Sequence, residues 1–83
     1  MKNLTIKYYE SRTIEDTIKN YCNEVLRKLN DDNIKYRVLR KKSCIDIVFC
    51  NEYDNTFYVE VNLNQRDLPE INGLTNTIKH FLL

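Results

Sequence analysis

Between Ile34 and Leu63 the chain alternates apolar and polar residues three times over, and both interruptions are short and polar. Ile34, Tyr36 and Val38 share one parity. So do Ile45, Ile47 and Phe49, and then Phe57, Val59, Val61 and Leu63. A period of two puts every second side chain on one face of an extended strand. These residues are β-branched or aromatic for the most part, the types that suit a half-buried pleated surface. The pattern predicts strands at 34–40, 44–50 and 56–63. Connections as short as "KKS" and "NEYDN" leave no room for a crossover, so neighbouring strands must run antiparallel. A sheet that is apolar on one face needs a second layer to cover it.

Two amphipathic segments can supply that layer. Residues 13–30 carry Ile14, Ile18, Tyr21, Cys22, Val25, Leu26 and Leu29 at helical spacing, which makes one stripe. Thr13 can cap the helix, and Glu15 and Asp16 suit its positive end. Glu15–Lys19 and Glu24–Lys28 are expected as i,i+4 pairs, and "NDDN" at 30–33 stops the helix. A second stripe runs through Leu68, Ile71, Leu74, Ile78, Phe81 and Leu82. Asp67 reads as its cap, Pro69 as a first-turn residue and Glu70 as the close of a capping box. Gly73 lies inside this helix, where it can kink or break. Residues 4–9, "LTIKYY", alternate and read as a short edge strand. The expected order over residues 1–83 is (β)-α-β-β-β-α. This is a single α+β domain of two layers, with a three- or four-stranded antiparallel sheet and two helices on one face.

Composition narrows the function classes. A chain of 83 residues has a small core and no room for a large internal substrate cavity. A net charge of +1 excludes both a strongly acidic DNA mimic and a histone-like polycation. Three cysteines, Cys22, Cys44 and Cys50, lack the even count and spacing of a secreted disulfide framework, so a reducing cytosol is expected. The N-terminus shows no apolar block of a signal peptide, and no apolar run reaches bilayer length. Asn, Ile, Lys and Tyr make up about two-fifths of the chain, a bias toward A/T-rich codons. The bias points to an AT-rich genome, such as a low-GC bacterium or its phage.

Alternation also assigns the other sheet face. It should carry Lys35, Arg37 and Leu39, then Cys44, Asp46, Val48 and Cys50, then Tyr58, Glu60 and Asn62. The stretch "RVLRKKSCID" is the most basic in the chain. Lys35 and Arg37 are expected to be partly neutralised by Asp46 and Glu60 across the strands, with Arg40, Lys41 and Lys42 crowding an exposed turn. Leu39, Cys44, Val48, Cys50 and Tyr58 would then form an apolar patch rimmed by charge, with Tyr53 in the next turn. Such a patch marks a contact site, and Tyr and Arg are favoured interface anchors. Homodimer packing, or coverage by the N-terminal segment, is the alternative use of such a patch.

Motifs of catalysis are missing from the sequence. Its single His, His80, reads as a boundary residue of the last helix, and one His cannot build the usual metal cluster. Cys22 lies on the apolar stripe, and neither Cys44 nor Cys50 has a base beside it in sequence to activate a nucleophile. A single Gly rules out a phosphate-cradling loop. No catalytic residue, cofactor or metal is expected, and the chain is not read as an enzyme.

The helix–three strands–helix order resembles the double-stranded RNA-binding domain. That family relies on a lysine cluster at the start of its second helix, where this chain reads "NQRDLPEIN" with Arg66 as its only base. Small toxins of the HicA type share the layout and use a histidine on the sheet, whereas His80 lies in the last helix. In size, layout and composition the chain is also similar to small phage-encoded inhibitors of CRISPR nucleases, the anti-CRISPR proteins. That resemblance implies a non-enzymatic protein acting in the host cell cytoplasm. It would bind and inhibit a host protein, a Cas nuclease or its guide complex, by steric occlusion. The surface expected to do so is Arg37, Leu39, Arg40, Lys41, Lys42, Val48, Tyr53 and Tyr58. The alternative is a small nucleic-acid-binding domain that uses the basic turn 37–42.

Overall fold

The computed structural model describes residues 3–5, 14–64 and 67–83. Helix α1 spans Ile14–Leu29 and buries Thr17, Ile18, Tyr21, Cys22, Val25 and Leu29, the face the apolar stripe defines. Glu15 and Asp16 lie in its first turn and Arg27 and Lys28 in its last, matching the helix dipole. Thr13 falls outside the described residues. The helix stops at Asn30, whose φ of 51° is left-handed and whose amide still donates to the Leu26 carbonyl. Asn tolerates that conformation better than most residues. The chain then turns through Asp31, whose carboxylate accepts the Asn33 amide.

Of the strands β1 (Asn3–Thr5), β2 (Lys35–Arg40), β3 (Cys44–Cys50), β4 (Thr56–Asn62) and β5 (Asp67–Pro69), β2, β3 and β4 form an antiparallel sheet in that order. All three lie within a residue of their predicted bounds, because an alternating pattern with a buried face specifies register strongly. Ile45, Ile47, Phe49, Val59 and Val61 point to the helices and join Ile18, Cys22, Val25, Leu74 and Ile78 in one core. The central strand is buried on both faces over Ile45–Phe49, whereas β2 has no buried residue. Val38, assigned to the helix side, keeps 36% of its surface exposed because β2 is an edge.

The N-terminal strand β1 comprises Asn3–Thr5, and its expected continuation through residue 9 lies outside the described residues. It does not extend the main sheet. It pairs antiparallel with β5, Asp67–Pro69, in a separate two-stranded ladder. That pairing corrects the start of the second helix. Asp67 and Pro69 are strand residues, and α2 runs Ile71–Leu82 with Glu70 itself as the N-cap. The Glu70 carboxylate accepts the amides of Asn72 and Gly73 at 3.0 and 2.9 Å. It thereby satisfies two amides that the helix leaves unpaired. The helix is continuous through Gly73. Tyr21 of α1 donates its hydroxyl to the Pro69 carbonyl at 2.6 Å, tying α1 to the small ladder. Among the described residues no helix is long and apolar enough to cross a membrane.

Candidate partner-binding face

The register fixes which side chains meet on the face turned away from the helices. Arg37, Val48 and Tyr58 form one row across the three strands. Leu39, Asp46 and Glu60 form the next, and Lys35, Cys50 and Thr56 lie on the other side. Strand parity is therefore as the sequence implies. Tyr58 and Leu39 are 56% and 39% exposed, while Val48 between Arg37 and Tyr58 has no accessible surface. A partner can touch Tyr58, Leu39 and Arg37 but cannot touch Val48.

The eight expected residues span the whole sheet. Lys41 and Lys42 occupy the β2–β3 turn, and Tyr53 occupies the β3–β4 turn at the opposite end. These turns are about 20 Å apart at a strand rise of roughly 3.3 Å per residue. The Tyr53 turn is organised by Asn51. Its side-chain oxygen accepts the amides of Tyr53 and Asn55, and its side-chain nitrogen donates to the Leu82 carbonyl at 3.0 Å. Asp54 adopts a left-handed φ of 62° there. Tyr53 thus projects, 76% exposed, from a turn anchored to the end of α2. Asn51 was not singled out from the sequence. The signal available was an Asn at the first position of a short turn, where such side chains cap the backbone.

The expected charge pairing is redistributed. Lys35 and Arg37 do not pair with Asp46. Lys41 does, at 2.7 Å, and the Asp46 side chain is only 8% exposed. The hydrogen bond to Asp46, followed by the charge of that carboxylate, raises the Lys41 pKa above its ordinary value. Arg40 has the parity of Ile45, so it lies on the helix side, where it pairs with Glu15 of α1. That contact takes Glu15 from its expected partner Lys19. On the same helix Glu24 pairs with Arg27, three residues on, rather than with Lys28. Among the described residues Lys35, Arg37 and Lys42 have no ion-pair partner, so the basic stretch divides into tied and free cations.

Cys44, Asp46 and Glu60 present a thiol and two carboxylates whose ligand atoms all lie within 4.8 Å of one another. The cross-strand Asp46–Glu60 pair was legible from alternation, and Cys44 joins it from two residues earlier on the same face. This donor set can hold a cation, and Lys41 already supplies one to Asp46. His80 lies on the exposed side of α2, edge-on to the Phe81 ring, and Phe81 stacks on Phe57. Cys22 is fully buried, and desolvation pushes its thiol up to about 12. No protein-family model, no curated protein and no solved structure matches the chain.

Proposed function

We propose that the protein is a non-enzymatic inhibitor from a phage or mobile element. It docks on a host protein through the open sheet face and blocks it sterically. The observation that carries this reading is the row of Arg37 and Tyr58 flanking a filled position at Val48, with Leu39 beside it. An exposed aromatic and a guanidinium with no ion-pair partner among the described residues are the residue types that anchor protein interfaces. A CRISPR nuclease or its guide complex is the target class, on the resemblance in size, layout and composition alone.

Two measurements test the reading. The purified protein is added to a guide-loaded Cas nuclease of a low-GC host, and target cleavage is followed. Wild type should slow cleavage, and Tyr58→Ala and Arg37→Glu should each relieve the block. Capture from a host lysate, followed by mass spectrometry, extends the test to other targets. If both variants keep every captured partner, the face is wrong. Lys35, Arg37 and Lys42, without ion-pair partners among the described residues, also support a second reading, direct nucleic-acid binding. An RNA and DNA shift assay decides it, and no shift at low salt removes it.

A further inference from the structure

We infer that β2 accepts an additional strand, an extended acidic segment of the partner protein, along its open edge from Lys35 to Arg40. The inference rests on the reading above and names how the partner is gripped. The two edges of the sheet differ. β4 is approached by α2 and by β5, whereas β2 has β3 as its sole strand partner among the described residues. Six consecutive residues of β2 are half-buried or exposed. An open strand edge offers unpaired amides and carbonyls as a template for another chain, and peptide recognition by strand addition uses that template.

Charge selects the occupant. Lys35 and Arg37 stand two residues apart on the outer face, both without an ion-pair partner among the described residues, and Lys42 lies beyond the strand end. A second copy of β2 paired antiparallel about Tyr36 or Arg37 would set these cations against its own, and like charges directly opposite destabilise a strand pair. Edge cations of one sign therefore disfavour those self-pairings and favour a strand carrying carboxylates at alternate positions. Arg40 is held by Glu15 and so leaves the two outer-face cations to set the register. Val38 and Leu39, 36% and 39% exposed on opposite faces, give the incoming strand an apolar contact on each side.

The test uses the full chain, isotopically labelled, and a capped six-residue peptide of alternating Glu and Val, with the Lys–Val peptide as control. Adding the acidic peptide should slow amide exchange at alternate residues of β2 by about tenfold or more. The Lys–Val peptide should leave them unchanged. Changing Lys35 and Arg37 together to Glu should reverse the preference. The inference is overturned if the acidic peptide shifts only outer-face residues around Tyr58, or if both peptides act alike. It is also overturned if β2 amides slow with rising protein concentration alone, which would make the occupant a second copy. A uridine oligomer that displaces the peptide while itself protecting no β2 amide would assign the cations to phosphate and likewise end it. Tyr58→Ala should leave peptide binding intact, so failure at the edge and failure of the sheet face are read separately.

Discussion

Raising the pH should destabilise this protein through Cys22, and the size of the effect follows from where the thiol lies. Cys22 has no accessible surface and packs among apolar residues of α1, α2 and the sheet. A thiolate there would be charged without solvent, so desolvation raises the pKa from 9.0 to about 12. The folded value exceeds the unfolded one, so the folded state holds its proton longer. The stability this group contributes is complete below pH 9 and is lost as pH rises toward 12. The slope is about 1.4 kcal/mol per pH unit, so the loss reaches about 3 kcal/mol at pH 11. A domain of this length has only about 4–12 kcal/mol in total. Tyr21, also pushed up chiefly by burial, adds a loss of the same sign above pH 10.

The check is urea unfolding followed by circular dichroism at several pH values from about 8 to 11, under reducing conditions. Cys22→Val and Cys22→Ala change the absolute stability by packing alone, so the comparison is of slopes. Wild type should lose about 3 kcal/mol more than either variant over that range. Losses that run parallel in all three proteins would refute the assignment of a buried, protonated thiol. Thiol labelling gives an independent reading: Cys44 and Cys50, both partly accessible, should react well before Cys22.

Three further outcomes are expected. Tyr21→Phe keeps the ring but leaves the Pro69 carbonyl without its donor, which should cost about 1–2 kcal/mol. Thermal unfolding should then fall by roughly 5–10 °C. Glu70→Ala should cost about 1 kcal/mol and speed amide exchange at Asn72 and Gly73 while the sheet is unaffected. Tyr58→Ala and Arg37→Glu should unfold within about 0.5 kcal/mol of wild type in urea, so that any loss of partner binding reports on the surface.

The sheet was legible because its information is local in period and strong in consequence. Shifting β3 by one residue would take Ile45, Ile47 and Phe49 out of the helix-facing core and put Asp46 and Val48 in their place. The second helix was misread at its start for the opposite reason. "DLPE" satisfies a capping pattern by itself, and only β1, some sixty residues earlier, shows that Asp67–Pro69 are taken by another strand. Charge pairing was the least legible feature. Glu15 has Lys19 one helical turn away, yet Arg40 reaches it from the sheet edge. A long flexible cation can choose among several carboxylates, so sequence spacing constrains it weakly.

That allotment of cations bounds any role in binding phosphate. Lys41 stands against a carboxylate whose side chain is more than nine-tenths buried, with Glu60 directly opposite. Handing its ammonium to a phosphate would leave Asp46 charged, out of solvent and facing a second acid. A carboxylate left unpaired and out of solvent is costly for a fold to keep. Arg40 is turned to the helix side and held by Glu15. A duplex phosphate backbone therefore meets Lys35, Arg37 and Lys42, and each neutralised phosphate contributes about 0.9 to the salt slope. With three contacts affinity should fall about 40-fold between about 50 and 200 mM salt, and with all five bases about 500-fold. Fluorescence anisotropy on a labelled duplex separates these outcomes. A fall near the larger figure would mean that Lys41 and Arg40 leave their carboxylates on binding and that the division into tied and free bases does not govern the surface.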